Sequence, residues 1–328
     1  MSRRFPGWLV CCALFLSLLL GSDLTAAAQE DVAKYPSKPI TLIVIFGAGG
    51  PTDVPARKIA AAMEKEFNQA VVVENKTGGG GVIGLTAVAR AKPDGYTLAT
   101  FSYSPTVIAP HVRSVPYDTT KDFSFVGEFA AYAQPFCVNK DAPWKSLKEV
   151  VEYARANPGA VTYSTVGAGS GQHIFLEALS RQENIKLTHV PFRGGAEGIA
   201  ALLGGHVKAG LAAELATPAK AGECRPLAVL GGRRLGSFPE VPTFAELGYK
   251  LDPPLWLGLA GPAGVPGPIL KKLEAALAKA VKDPSFVETL ERFVLTPAYQ
   301  GSDEFRRTVL GDFERMGKLI KDLGLAKR

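Results

Sequence analysis

Cysteine and histidine are scarce in this chain, with four of each in 328 residues. The histidines, His111, His173, His189 and His206, lie far apart, and neither C-x-x-C nor H-x-x-x-H occurs, so the spacing gives no metal site. No glycine-rich segment leads into Gly-Lys-Ser/Thr, which excludes a phosphate loop of the nucleotidase type. Basic residues come only in short runs such as Lys271-Lys272, Arg233-Arg234 and Arg306-Arg307, too dispersed for a nucleic-acid footprint. One apolar run is prominent, Trp8 to Leu20, and at about a dozen residues it falls short of the ~20 that span a bilayer.

That run has the make-up of an export signal. Arg3 and Arg4 precede it and Ala26-Ala27-Ala28 follow it, so residues 1–28 are expected to be a cleaved signal peptide with Gln29 the first mature residue. Cleavage removes two arginines and one aspartate, which lowers the formal charge from +6 to +5. A mild positive excess favours anionic ligands by steering. Cys137 and Cys224 are the two cysteines that remain, and in an oxidising compartment they read either as a disulfide or as two buried thiols on neighbouring strands.

The remaining 300 or so residues suffice for two domains. Apolar β-branched runs alternate with amphipathic segments, the pattern of βαβ units. The fold class expected is therefore α/β with mostly parallel sheets flanked by helices. Strands are expected at Ile40 to Phe46, Val71 to Glu74, Tyr96 to Phe101, Phe123 to Glu128, Gln134 to Asn139, Val161 to Thr165, Thr188 to Pro191, Arg225 to Leu230 and Leu255 to Ala260. The helices expected between them include Asp53 to Phe67, Gly84 to Ala91 and Ser146 to Ala156, the last opened by a Ser146/Glu149 capping box, and Gly195 to Leu203. From Pro266 onward the pattern is helical, with helices expected at Ile269 to Lys282, Pro284 to Phe293 and Asp303 to Leu323 and Ser302 as a cap for the last.

Two strand–glycine turn–helix units stand out. The first is Phe46-Gly47-Ala48-Gly49-Gly50-Pro51-Thr52-Asp53, and the second runs from Ser164 through Gly167-Ala168-Gly169-Ser170-Gly171 to His173. Glycines admit close backbone approach, and free amides at a helix start favour an anion. The plainer reading of the first is a tight turn with Thr52 or Asp53 capping the helix. His173 reads either as a general base or, since no nucleophile elbow accompanies it, as a hydrogen-bonding or packed histidine. Tyr103, Phe192 and Trp256 lie near strand ends, where they wall a pocket or fill the core. Two anion-friendly loops without a nucleophile, metal or cofactor motif point to capture of a small carboxylate rather than its conversion. A periplasmic enzyme, or an orphan or sensory receptor, is the alternative.

The residues also resemble a known family in order along the chain. Y-P-S-K-P-I at 35–40, F-G-A-G-G-P-T-D at 46–53, V-V-V-E-N at 71–75 and P-D-G-Y-T-L at 93–98 come first. H-V-P-F-R-G at 189–194, L-G-G-H-V at 203–207, P-E-V-P-T at 239–243 and G-P-A-G-V-P at 261–266 follow. The sequence resembles the substrate-binding proteins of tripartite tricarboxylate transporters, the Bordetella uptake gene receptors. This resemblance implies a two-lobed, periplasmic-binding-protein-like fold of type II, lobe one being residues 34–133 plus 233–328 and lobe two residues 134–232. It implies a monomeric receptor with no cofactor that hands a carboxylate to the membrane subunits of such a transporter. By position it places Phe46, Gly47, Ala48, Gly49, Thr52, Asp53, Thr165, Ser170 and His173 around the ligand; Tyr103 and Phe192 join them as pocket walls. Cys137 and Cys224 would then lie near the crossover strands. The family usually has proline where Gly47 stands. Glu214 is the only charge in Ala209 to Thr217, where relatives often carry the acidic or amide residue that reads the far end of the ligand.

Overall fold

The computed structural model describes residues 32–192, 195–249 and 253–327. The expected signal peptide, residues 1–28, lies outside the described residues, as do Arg193 and Gly194 of the H-V-P-F-R-G motif. Among the described residues, 32–37 belong to a separate small unit and include a 3-10 turn at Val32–Lys34. Everything below concerns the unit that begins at Lys38.

Elements alternate as the apolar pattern requires. β1 (Ile40–Val44), α1 (Asp53–Phe67), β2 (Val71–Asn75), α2 (Val82–Ala89) and β3 (Thr97–Ser102) come first. A π-helical turn, Ser104–Ile108, runs into α3 (Ala109–Val112), and β4 (Phe123–Tyr132) follows. Next are β5 (Gln134–Asn139), α4 (Leu147–Ala156), β6 (Thr162–Thr165), α5 (Gly171–Glu183), β7 (Thr188–Pro191), α6 (Gly195–Leu203), β8 (Ala209–Leu211), α7 (Ala216–Lys220) and β9 (Cys224–Leu230). The chain closes with β10 (Trp256–Pro262), α8 (Gly267–Ala280), α9 (Pro284–Arg292), β11 (Leu295–Gly301) and α10 (Ser302–Asp322).

The strands form two sheets, one per lobe. The six-stranded sheet has the order β11-β4-β10-β3-β1-β2 and the five-stranded sheet β7-β6-β8-β5-β9. Both are mixed. In the first, β10 runs antiparallel to β3 and β4, and β11 antiparallel to β4, while β1, β2, β3 and β4 share one direction. In the second only β5 is reversed. Of the three reversed strands, β10 and β5 each immediately follow a passage between the sheets, whereas β11 follows α9 within the first lobe.

Local chemistry explains most element boundaries. The Ser146 hydroxyl accepts from the Glu149 amide, and the Glu149 carboxylate returns to the Lys145 amide, so the expected capping box forms one residue displaced. Asn68 and Asn184 end α1 and α5 in the left-handed conformation that asparagine tolerates. Ser302 is not a cap: it is the first residue of α10, Gly301 holds the cap position, and the Ser302 hydroxyl donates to the Phe125 carbonyl. Between the helices expected at Pro284 to Phe293 and Asp303 to Leu323, the stretch Leu295–Gly301 is not helical but strand β11, added to the edge of the first sheet. The segment Leu-Thr-Pro-Ala-Tyr-Gln-Gly is too short to show a period against its helical neighbours.

Trp256 is fully buried in the first lobe. It stacks on Phe101 with centroids 6.4 Å apart, meets the Phe305 ring edge-on, and donates from Nε1 to Asp312 Oδ2 at 2.9 Å. It is therefore core. Asp312 is wholly buried and also pairs with Arg315; burial pushes its pKa up.

The passages between sheets are short and adjacent. Ala133 alone separates β4 from β5, and the Tyr132 amide donates to the Leu255 carbonyl of the return passage at 3.1 Å. Leu255 has φ +40°, a conformation that costs a leucine roughly 1–2 kcal/mol. The return comes later than residue 233. Leu235, Phe238 and Val241 pack with Cys137 and Leu202 of the second lobe, Thr243 bridges to Val229, and the Phe244 ring meets Phe136 at 6.3 Å. At the Gly-Gly-Arg-Arg segment after β9 the chain turns and stays on the second sheet.

Cys137 and Cys224 occupy neighbouring strands β5 and β9 as free, buried thiols. The neighbouring Cys224 thiol, together with burial, holds the Cys137 pKa well above its ordinary value. Thiol labelling of unreduced protein is expected to find both groups unreactive when folded and both reactive in denaturant. A mass two hydrogens lower with no label incorporated would instead show a disulfide.

Candidate functional site

The two glycine loops open onto one cavity of about 640 Å³. It lies at the carboxyl ends of β1, β3 and β6, where α/β sheets place their ligands. Phe46, Gly47, Ala48, Gly50, Pro51 and Thr52 line one side, and Val166, Ala168, Gly169, Ser170, Gly171 and Gln172 the other. Tyr103, Ser104, Ile108 and Val112 from the π-turn region, Phe175, and Leu255, Leu257 and Leu295 supply a largely apolar body.

The first loop is shaped from behind by Asp53, which is 2 % exposed. Its Oδ2 accepts from the Gly49 amide at 2.8 Å and from Arg57 Nε at 2.9 Å. Its Oδ1 accepts from Asn75 Nδ2 at 2.8 Å, and the same amide group donates to the Phe46 carbonyl. Burial alone would raise the Asp53 pKa, but Arg57, the Gly49 amide and Asn75 together hold it below the usual carboxylate range. Thr52 sits at the cap position of α1 but makes no side-chain cap bond, so neither residue merely closes the helix. Gly49 needs glycine, with φ +79°. With Gly49 tied to Asp53, the amides of Gly47, Ala48, Gly50 and Thr52 have no acceptor among the described residues. They are the dipoles an anion would meet.

The second loop has a matching frame. Thr165 Oγ1 donates to the Gly167 carbonyl, accepts from the Gly167 amide, and lies 2.7 Å from His189 Nε2. The Ser170 hydroxyl caps α5 by accepting from the His173 amide, and His173 Nδ1 accepts from the Gly169 amide at 3.2 Å. The His173 and His189 rings stack with centroids 4.2 Å apart. Burial lowers the pKa of both, and the neighbouring ring helps bring His189 to about 4. Both are thus neutral near pH 7. Protonating His173 Nδ1 would remove the acceptor for Gly169, so the frame loosens in acid.

The structure brings Phe46, Gly47, Ala48, Thr52, Tyr103 and Ser170 to the cavity wall. Gly49, Asp53, Thr165 and His173 stand one layer behind it, bonded to the loops. Phe192 packs on the second-lobe core with its amide bonded to the Thr165 carbonyl and is not among the lining residues. Sequence reading missed Ser102, Tyr132, Gln134 and the π-turn. Ser102 and Gln134 end and begin apolar runs that read as strand interior, and Pro105 and Pro110 masked a helical segment. Asn75 had its signal in the V-V-V-E-N motif, but nothing in the spacing ties it to Asp53.

A threonine-to-alanine change at 165 deletes the acceptor for Gly167 and the partner of His189. Thr165→Ala is expected to weaken ligand binding more than tenfold while costing about 1–2 kcal/mol of stability, and Thr165→Ser to restore most of both. Calorimetric titration of the two variants checks this; equal affinity in alanine and threonine forms would remove Thr165 from the site.

Two α/β lobes joined by a paired crossing, with facing amide-lined loops over one cavity, define a solute-binding receptor of the periplasmic type. Residues 55–325 match the family model described as tripartite tricarboxylate transporter family receptor, and the chain belongs to that family. It is 35 % identical over 305 residues to a Cupriavidus necator protein from the gbd 5′ region, covering 92 % of each. It also resembles the solved structure of a periplasmic transporter, with TM-score 0.79 at 34 % identity over 89 % of this chain and 99 % of that one. An R. palustris protein solved with adipate superposes with TM-score 0.78 at 28 % identity, over 89 % of this chain and 99 % of the other.

Proposed function

We propose that this protein is a periplasmic receptor that captures a small carboxylate between its lobes and delivers it to the membrane subunits of a tripartite tricarboxylate-type transporter. The observation that carries this is the pair of glycine loops lining one cavity, the first with backbone amides that have no acceptor among the described residues, each loop braced by a buried side chain. The adipate bound by a structural relative supports an acidic ligand. Export fits the N-terminal sequence, and no helix among the described residues is long and apolar enough to cross a membrane. The receptor acts as a monomer. Its lobes exchange chain at about residue 133 and again near 250–255, so residues 134–249 make up lobe two.

Binding without turnover is the better reading of the cleft. His173, read in the sequence as a possible general base, spends Nδ1 on Gly169 and its ring face on His189, and Asp53 spends both oxygens on the Gly49 amide, Arg57 and Asn75, so both are braces for the loops. No group of three or more His, Cys, Asp or Glu side chains among the described residues is placed to hold a metal.

A ligand that binds only the folded state raises the melting temperature by mass action. A thermal-shift screen of mono-, di- and tricarboxylates is expected to give a dose-dependent rise with one chemical group. Silence across the whole panel, with protein shown by mass spectrometry to be ligand-free, would overturn the carboxylate reading.

A further inference from the structure

The cavity has a second polar station, away from the anion loops. Ser102 ends β3 opposite Leu257 of β10, and Gln134 begins β5 directly after the crossing at Ala133. Both line the cavity, at 2 % and 6 % exposed. Ser102 Oγ and Gln134 Oε1 are buried with no hydrogen-bond partner. Leaving such groups unpaired is costly in a folded protein, so each calls for a partner from the bound molecule.

The partner's chemistry follows from what stands around them. Gln134 Oε1 only accepts, and Glu214, an exposed carboxylate, lines the same cavity. Arg113 is the only cationic lining side chain among the described residues, and its Nη2 already donates to the Gly79 carbonyl of the first lobe at 2.6 Å. A second carboxylate at this end would meet the like charge of Glu214, with Arg113 the one lining cation among the described residues to offset it. A hydroxyl or amine would find acceptors waiting. Between the two stations the wall is apolar, contributed by Tyr103, Ile108 and Phe175.

Resting on the carboxylate reading, we propose that the ligand is a monocarboxylate with an aromatic or apolar body and a hydrogen-bond donor at its far end, read by Ser102 and Gln134. The donor satisfies the orphaned oxygens, whereas the parent acid leaves them unpaired. A site built to pair a ligand donor discriminates against analogues that lack it.

Titration calorimetry on matched acids tests this. One set is benzoate, para-hydroxybenzoate, para-aminobenzoate and terephthalate; a longer set is phenylacetate with its para-hydroxy, para-amino and para-carboxy derivatives. In at least one set a donor-bearing acid is expected to bind about tenfold tighter than both the parent and the dicarboxylate. The hydroxyl and amine arms identify the donor. In Ser102→Ala or Gln134→Met the donor-to-parent affinity ratio falls to within about threefold. Gln134→Met keeps the length of the side chain, and circular dichroism checks that each variant is folded. A tighter dicarboxylate in both sets, or a ratio unchanged in both variants, overturns the donor end alone. No binding by any aromatic acid overturns it too, and a positive aliphatic di- or tricarboxylate in the thermal screen then leaves the receptor reading standing.

Discussion

Asp53→Ala is expected to reduce affinity for the bound carboxylate by far more than tenfold, although the side chain stands behind the cavity wall. The carboxylate ties the Gly49 amide, Arg57 and Asn75 together, and through Asn75 it reaches the Phe46 carbonyl. Removing it frees a loop containing Gly47 and Gly49, two residues with little conformational preference of their own, so binding must then include the entropy of ordering them. It also leaves Arg57 without its carboxylate and the Gly49 amide without its acceptor. Breaking such a pair costs on the order of 3 kcal/mol where it is buried, and less here because Arg57 is itself half exposed. Asp53→Asn retains one oxygen and is expected to fall between the two. Titration calorimetry measures the affinity, and denaturant unfolding shows that the variant is folded at the assay temperature. An alanine variant that binds within about threefold of the native protein would show that the loop is ordered without Asp53.

Glu128→Gln should stabilise the protein at alkaline pH and leave it unchanged in acid. Glu128 lies in β4 at 5 % exposure, and burial, followed by the nearby Glu304 and Asp312, pushes its pKa up to about 7. In the unfolded chain the group titrates at its ordinary value of 4.5. Between these values the folded state holds a proton that the unfolded state has lost, so stability falls as pH rises from 4.5 to 7 and levels off above. The ionised form carries a penalty of about 3 kcal/mol at pH 8. Glutamine cannot ionise and removes that slope. Denaturant melts at pH 4.5 and pH 8 measure it: the variant's gain should appear only at the higher pH. A gain equal at both would assign the effect to packing.

Much of the scaffold was legible because its signals are local. Gln134–Asn139, Thr188–Pro191, Asp53–Phe67 and Gly195–Leu203 fall where apolar runs, helical period and glycine boundaries place them. Strand β11 and the π-turn were not legible, because one is an edge strand held by its neighbour and the other begins at a proline-containing stretch that sequence rules read as a break. The candidate site divides similarly. Glycine loops announce themselves by composition, so Gly47, Gly49 and Ser170 could be found. Ser102 and Gln134 became visible only when two distant strands were brought to one cavity, and His189 only when its ring was found against His173. For Trp256 the sequence left pocket wall and core both open, and the bond from its indole nitrogen to Asp312 settles it as core.

The hydrogen bond between Tyr132 and Leu255 has a mechanical consequence. Two crossings fastened side by side resist independent twisting, so opening and closing of the cleft reduces to swing about one axis. Tyr132, Gln134 and Leu255 also line the cavity, so cargo held there would lie against the axle itself. A bulk difference there is multiplied along the full lever arm of each lobe before it reaches the outer rims. The rims would then display the size of the cargo as an angle, and a docking partner could sort loaded from empty receptors without touching the cargo.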